Sequence, residues 1–222
     1  HALLGVLREN NQDLQVHFLS NSLASTDNWK TYSAFQAQLQ WMLSDYRVLL
    51  HLKKPHSLME MSGSDQGFSN VHAKSWVVDD RWSAIGSFNW DPRSEIFNSE
   101  VMAVFDDANF AGILRKLLEP LHDPKNAWVV AERDLPIGLE QVDDITHLLN
   151  AISTELVNVR TWSLRNTACY ELVGDTELTP WEEGFYEQYK SVGSFPEVEE
   201  GTKKKAYTVI LQPLSDMIKP AL

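Results

Sequence analysis

Four side chains with complementary chemistry lie between residues 71 and 89: the imidazole of His72, the ammonium group of Lys74, the hydroxyl of Ser87 and the amide of Asn89. Residues two apart in a β-strand point to the same face, so His72 and Lys74 form one pair and Ser87 and Asn89 another. If the two strands are neighbours, the four groups meet around one point. Such a set suits a phosphodiester, which needs a nucleophile or acid, a positive charge and neutral donors for its nonbridging oxygens.

The spacing of these residues resembles the complete HKD signature of the phospholipase D superfamily. The sequence reads His72-x-Lys74-(x)4-Asp79-(x)6-Gly86-Ser87-x-Asn89. Two flanking segments, Asp-Pro-Arg-Ser at 91–94 with Asn-Ser-Glu at 98–100, and the stretch from Ser20 to Asp27, are similar to the bacterial cardiolipin synthase branch. The resemblance extends over roughly residues 1–130 and only loosely beyond them.

The resemblance implies covalent catalysis without a metal or another cofactor. One histidine of a pair attacks phosphorus and forms a phosphohistidine, and the partner histidine protonates the leaving alcohol. His72 is expected to take one of these two roles, and its sequence context leaves open which one. Lys74 and Asn89 would bind the phosphoryl oxygens, with Ser87 assisting.

Four further residues complete the predicted site. A neutral histidine nucleophile needs a carboxylate that accepts from its second ring nitrogen, and Glu100 occupies the position that the family reserves for this group. Asp79 follows Lys74 by an odd number of residues, so we predict a turn or ion-pair residue. Gly86 is a structural position of the motif. Arg93 belongs to a turn-like segment and either forms part of a simple turn or contacts a headgroup or a second half of the enzyme.

Apolar periodicity predicts the α/β class, with a mixed, largely parallel sheet flanked by helices. Strand patterns occur at 14–20, 47–53, 71–78, 82–86 and 99–105, and helical spacing occurs from Thr31 to Tyr46 and at 109–121, ending near Pro120 and Pro124. Residues 1–125 are predicted to form the phospholipase D-like catalytic half with one HKD motif. The start of the chain inside an apolar pattern indicates a cut edge. The aromatic residues around the motif, Trp76, Trp82, Phe88 and Trp90, are expected to lie mostly in the core, with contact to acyl chains as the alternative.

Residues 126–222 are predicted to form an irregular C-terminal appendage that faces a membrane or a partner. It would contain a helix at 139–156 and short strands near 157–164 and 168–173. The stretch from Lys203 to Leu222 begins with three lysines and spaces apolar residues along one helical face. This pattern is typical of a membrane-surface helix, with docking on the protein as the alternative.

Composition narrows the function further. A chain of 222 residues with a net charge of −12 lacks the overall basic character of most phosphate-backbone binders, which disfavours nucleic acid as a substrate. The single cysteine, Cys169, excludes an internal disulfide and is expected to be a buried, inert thiol. We expect a membrane-associated protein, at the bacterial inner membrane, in peripheral contact with lipid.

The leading hypothesis is a phosphatidyltransferase or phosphodiesterase that acts on phospholipids, most specifically one like cardiolipin synthase. A phospholipase D-type hydrolase or a nuclease of the same superfamily is the alternative. One motif supplies one histidine, whereas the two-step mechanism requires two. The partner is therefore expected to be a second HKD half, either in the same polypeptide or in a second copy of this chain, and without it the chain would be an inactive half-enzyme.

Overall fold

The computed structural model describes residues 5, 8–9, 11, 13–26, 32, 35, 39–44, 46–55, 71–89, 92–133, 167–199 and 201–202. Eight strands lie in these ranges: β1 (Val16–Asn21), β2 (Val48–Lys53), β3 (Lys74–Val78), β4 (Trp82–Gly86), β5 (Met102–Asp106), β6 (Ala127–Glu132), β7 (Thr167–Leu172) and β8 (Tyr189–Gly193). The helices are α1 (Leu39–Ser44), α2 (Pro92–Ile96), α3 (Ala108–His122) and α4 (Phe185–Gln188). The strands and helices predicted within these ranges are confirmed to within a few residues.

Five strands form the main sheet, in the order β1-β2-β6-β7-β8. β1 and β2 are parallel, whereas each of the other three neighbouring pairs is antiparallel. The α/β class and the mixed sheet are confirmed, but the expectation of a largely parallel sheet is wrong for the described strands. After α3, a short connection leads from His122 into β6, which enters the sheet antiparallel to β2.

The main sheet buries apolar residues on both faces. Val48, Leu50 and Leu52 of β2 alternate on one face and pack with Leu39 and Leu43 of the α1 helix. The other face carries a second cluster around Val129, Ala131, Tyr170 and Phe185. Cys169 is buried in the first cluster, and burial raises the pKa of its thiol to about 12, so the prediction of a buried, inert thiol is confirmed. The main sheet therefore has an apolar core on each of its two faces.

The remaining three strands form a separate antiparallel sheet, in the order β3-β4-β5. Helix α3 contacts β2, β3 and β4 and therefore joins the two sheets. Its first turn is capped by Asp107, which accepts from the backbone N–H groups of Asn109 and Phe110. The helix continues through Pro120 and ends at His122, before Pro124, so its predicted end near these two prolines is confirmed.

Both faces of the three-stranded sheet carry partly exposed apolar side chains. On one face Phe105 contacts Phe110 of α3, with 4.5 Å between ring centroids, and Ile85 is 41% exposed. The register places Lys74, Trp76 and Val78 on the opposite face, together with Trp82 and Val104. Trp82 is 41% exposed and Val104 is 56% exposed. The prediction that the aromatic residues of the motif lie mostly in the core is therefore wrong for Trp82, while Trp90 lies outside the described residues.

The boundary predicted at residue 125 does not coincide with the edge of a sheet. β6, β7 and β8 all follow it in sequence, and β6 pairs with β2. Where it is described, the predicted appendage thus contributes three strands to the main sheet, because their buried residues complete the apolar core. The predicted helix at 139–156, the strands near 157–164 and the amphipathic stretch at 203–222 lie outside the described residues.

Candidate active site

The HKD motif spans a β-hairpin at which the two sheets meet. Lys74 opens β3 and lies opposite Gly86, the last residue of β4. The two strands are therefore adjacent, as the convergence of the motif requires. His72, Ser87 and Asn89 lie just beyond the strand ends instead of within the strands, so strand alternation does not orient them. Side-chain and backbone hydrogen bonds position this part of the chain.

Gly86 permits the close approach of β5. A Cβ atom at this position would lie 2.1 Å from the carbonyl oxygen of Val101 and 2.3 Å from the sulfur of Met102. The backbone N–H of Ser87 donates to the Val101 carbonyl at 2.9 Å, and the Val101 N–H donates to the Ser87 hydroxyl at 3.0 Å. The absence of a side chain at Gly86 therefore lets β5 approach closely enough to hold Ser87 through two hydrogen bonds.

Glu100 is the centre of the polar network. Its carboxylate accepts from the hydroxyl of Ser87 and, at 3.1 Å, from the amide of Asn98. These donors, a further hydrogen bond from Ser94 and the charge of Lys74 hold the pKa of Glu100 below its usual value, with the Ser87 bond the largest cause. Glu100 is therefore an ionised carboxylate that lies near the Lys74 ammonium.

Asn89 joins the same network through Ser94. The backbone N–H of Asn89 donates to the Ser94 hydroxyl at 3.2 Å, and Ser94 is buried in the short α2 helix. The side chain of Asn89 is exposed. A polar chain thus runs from Asn89 through Ser94 and Glu100 to Ser87, with Lys74 beside it.

His72 lies next to this network and is exposed. Its backbone carbonyl accepts from the Lys74 ammonium at 2.7 Å. Glu100 is predicted to accept a hydrogen bond from the His72 imidazole, but within the described part of the chain no hydrogen bond joins the two. The carboxylate is instead bonded to Ser87, Ser94 and Asn98, which are nearer in the fold. The imidazole faces solvent and is accessible to a substrate.

Two further predicted site residues, Asp79 and Arg93, have no described contact with this network. Asp79 is in the turn between β3 and β4 with φ of 50°, at the opposite end of β3 from His72. Arg93 is in the backbone of α2, beside Ser94, and its side chain lies outside the described residues. The structure therefore brings Lys74, Ser87, Asn89 and Glu100 together and places His72 beside them.

Three residues that sequence reasoning did not single out contribute to the site. Ser94 and Asn98 support Glu100, and the side chain of Asn21 bonds to the backbone of Val71, directly before His72. All three lie inside segments that carried the family resemblance. Their location in these segments was the one feature of the sequence that could have identified them, because a single serine or asparagine is as common in a turn as in a site.

The arrangement combines an exposed imidazole, an ammonium group and neutral hydrogen-bond donors on one hairpin end. An ammonium group stabilises negative charge on phosphoryl oxygens, and the imidazole can attack phosphorus or transfer a proton. Comparison with protein families agrees with this chemistry. Residues 6–121 match the model described as the PLD-like domain of cardiolipin synthase.

The chain belongs to this phospholipase D-like family. The match contains all eight predicted site positions and ends within α3, so β6, β7 and β8 follow it.

Relatives of this phospholipase D-like chain come from two bacteria. Cardiolipin synthase C of Escherichia coli K12 is 30% identical over 116 residues, which are 50% of this chain and 24% of that protein. Two uncharacterised proteins of Helicobacter pylori are 29% identical over 106 residues and 28% identical over 148 residues. These cover 48% and 63% of this chain, and 21% and 30% of the respective proteins. The chain therefore spans less than a third of each of these relatives, and no solved structure matches it.

In the described ranges of this phospholipase D-like chain, no helix is both long and apolar enough to cross a bilayer.

Proposed function

We propose that this chain is a catalytic half of a phosphatidyltransferase or phosphodiesterase that acts on phospholipids through a phosphohistidine, as a cardiolipin synthase does. One observation carries the proposal: the exposed His72 lies beside a network in which the ionised Glu100 is held by Ser87 and faces the Lys74 ammonium. Membership of the phospholipase D-like family supports the same reaction class. The relative named Cardiolipin synthase C supports the lipid specificity.

The reaction has two displacement steps at phosphorus. In the first, a histidine nitrogen attacks phosphorus, the bond from phosphorus to the headgroup oxygen breaks, and the second histidine donates a proton to that oxygen. In the second, an alcohol acceptor loses its proton to the second histidine while its oxygen attacks phosphorus and releases the first histidine. Water in place of the alcohol gives hydrolysis. His72 supplies one of the two histidines, and Glu100 reaches its imidazole only after a change from the Ser87-bonded arrangement.

Lys74, Ser87 and Asn89 bind the phosphoryl group in both steps. The ammonium group of Lys74 offsets the negative charge that develops on the nonbridging oxygens. The exposed amide of Asn89 and the hydroxyl of Ser87 supply neutral donors from the segment that follows β4. Arg93, next to the buried Ser94, contacts the headgroup or the second half of the enzyme.

The second histidine comes from a partner that carries another HKD motif. One face of the three-stranded sheet bears Lys74 at the start of β3 and the exposed Val104, Val78 and Trp82 further along the hairpin, and it is the surface on which we place the partner. The relatives are three to five times longer than the segment they share with this chain, which favours a partner half in the same polypeptide over a second copy of the chain.

The substrate requires contact with a membrane surface. We propose peripheral association with the bacterial inner membrane, and the Lys203–Leu222 segment is the candidate contact. A net charge of −12 favours a lipid over a nucleic acid substrate, because polyanion binding relies on clustered positive charge.

The test is a quench experiment on the intact protein that contains this chain. Phosphatidylglycerol labelled on phosphorus is mixed with the parent, with His72→Asn and with His17→Gln, which removes an imidazole outside the motif. We expect an acid-labile phosphoryl adduct on His72 in the parent and in His17→Gln, and no turnover in His72→Asn. Cleavage of plasmid DNA is measured in parallel to test the nuclease alternative.

Each outcome decides between specific alternatives. An adduct on the histidine of the partner motif, together with loss of turnover in His72→Asn, assigns His72 the role of general acid. An adduct released to water but not to a second phosphatidylglycerol indicates a hydrolase. If the intact protein forms no adduct and turns over no phospholipid, the proposal is wrong.

A further inference from the structure

The side chain of Asn21 forms an unusual bridge at the end of β1. Its amide nitrogen donates to the Val71 carbonyl at 2.9 Å, and its amide oxygen accepts from the Val71 N–H at 2.7 Å. The carboxamide therefore pairs with both polar groups of one residue, as a neighbouring strand backbone does. Because the Val71 N–H can only donate and its carbonyl can only accept, the orientation of the Asn21 amide is determined.

This bridge joins β1 of the main sheet to the residue that precedes His72. β3 begins only at Lys74, so the strand ladder with β4 does not hold residues 71–73. Among the described residues, the other hydrogen bond that reaches this stretch comes from Lys74 to the His72 carbonyl. The position of His72 relative to the main sheet thus depends on the side chain of Asn21.

Asn21 is itself held by a buried turn. Ser22 and Ser25 are 2% and 0% exposed and bond to each other through hydroxyl and backbone groups, including Ser22 N–H to Ser25 Oγ at 2.9 Å. Ser25 also donates to the Asn21 amide oxygen at 3.5 Å, a long contact. In the sheet, Asn21 lies opposite Lys53, the last residue of β2. The backbone of Asn21 is therefore held by its pairing with β2, and its side-chain amide is contacted by Ser25.

We propose that Asn21 is a positioning residue for His72. Building on the phosphatidyl-transfer function proposed above, the paired hydrogen bonds set the distance between the His72 imidazole and the phosphoryl-binding groups of Lys74, Ser87 and Asn89. An aspartate cannot replace it, since a carboxylate has no proton to donate to the Val71 carbonyl and repels that oxygen. A displacement of about 1 Å at a reacting group lowers turnover by about a hundredfold.

The test compares Asn21→Ala and Asn21→Asp with a matched control, Asn126→Ala, in the intact protein. Asn126 also bonds to a backbone carbonyl through its side-chain amide, at 2.7 Å to Pro120, but away from the site. With labelled phosphatidylglycerol, we expect kcat to fall by about tenfold to a hundredfold in both Asn21 variants, with KM within about twofold of the parent. Asn126→Ala should retain the parent's kcat.

A second measurement does not depend on activity. Hydrogen exchange of the Val71 amide should be at least about tenfold faster in Asn21→Ala than in the parent and in Asn126→Ala, since the amide has lost its acceptor. An unchanged Val71 exchange rate in Asn21→Ala, or a kcat unchanged in both Asn21 variants, overturns the inference. If the parent itself shows no transfer but Val71 exchange responds as expected, the proposed function fails while the bridge stands. If Asn21→Ala does not fold, Asn21→Asp, which keeps the shape and one hydrogen bond, supplies the kinetic result.

Discussion

The two sheets of this protein differ in how much of their apolar surface is buried. The five-stranded sheet is covered on both faces, and its central strand β2 has three residues, Val48, Leu50 and Leu52, that are at most 1% exposed. The three-stranded sheet carries the HKD motif, contacts α3 and exposes Val104 and Trp82 on one face and Ile85 on the other. The first sheet is arranged for stability and the second for access. A substitution should therefore affect folding in one sheet and reaction or association in the other.

The largest effect is expected from Lys74→Met in the three-stranded sheet. Loss of the ammonium group removes the charge that stabilises the phosphoryl oxygens, and the loss of one such group lowers kcat by about 10²–10³-fold. The free energy of unfolding should change by no more than about 0.5 kcal/mol, because the hydrogen bond from Lys74 to the His72 carbonyl and its attraction to Glu100 are surface interactions. Phosphatidyl transfer and urea unfolding are measured, with the exposed Lys116→Met as the control. Retained transfer in Lys74→Met would remove Lys74 from the mechanism.

The reverse pattern is expected from Leu50→Ala in the five-stranded sheet. Leu50 is 0% exposed and packs in the cluster with Leu39 and Trp128. The substitution should lower the free energy of unfolding by about 2–5 kcal/mol, from lost transfer energy and a residual cavity. Leu117→Ala, at a position 67% exposed on α3, serves as the control and should change it by less than about 1 kcal/mol. Equal losses in the two variants would mean that the main sheet is not the stability core.

A pH dependence should arise where α3 meets the main sheet. The rings of His51 and His122 lie 4.9 Å apart, and His17 lies 6.4 Å and 6.3 Å from them. Burial, with smaller effects of His122 and His17, lowers the pKa of His51 to about 3, and burial also lowers the pKa values of His17 and His122. The charges near this cluster are Lys53 on the same face of β2 and Glu119 on α3. Protonation therefore favours the unfolded chain.

The sign of the effect follows from these lowered pKa values. The stability contributed by the neutral imidazoles is fully present above about pH 6.5, the unfolded value, and is lost as the pH falls towards about 3. Between its folded and unfolded pKa values, one histidine changes the free energy of unfolding by up to about 1.4 kcal/mol per pH unit. His51→Leu should flatten the fall in unfolding free energy between pH 6.5 and 4.5, measured with urea. Leu50→Ala, which removes no titrating group, should keep the parent's slope, and a steep slope in His51→Leu would show that the cluster is not its source.

The sequence predicted the elements better than their arrangement. Alternation and helical spacing placed β1, β2, β4 and α3 within a few residues, because these patterns are local. The strands β6 and β8 were not predicted, and their antiparallel pairing depends on contacts between segments far apart in sequence and not on any local periodicity. In the site, exact spacing identified Lys74, Ser87 and Asn89, and the network that joins Asn89 to Glu100 through Ser94 agrees with that grouping.

The orientation of the site could not be predicted from strand alternation. His72, Ser87 and Asn89 lie beyond the strand ends, where a rule based on a period of two no longer applies. Their positions depend on contacts between residues far apart in sequence, such as Asn21 with Val71 and Ser87 with Val101. The same limit applies to Glu100, whose partner in the structure is Ser87 and not the predicted His72.

The smallest effect on the chain itself is expected from Val104→Ser on the exposed face of the three-stranded sheet. Val104 is 56% exposed, so the free energy of unfolding of the 222-residue chain should change by no more than about 0.5 kcal/mol. If the partner half covers this face, the same substitution should raise the dissociation constant for that half by about tenfold, or roughly 1.4 kcal/mol. Ile113→Ser, at a position 58% exposed on α3, is the control and should leave association unchanged. Association is measured by titrating the chain with the separately produced half. Equal affinities for Val104→Ser and the parent would place the partner elsewhere and leave the exposed apolar face without an assigned function.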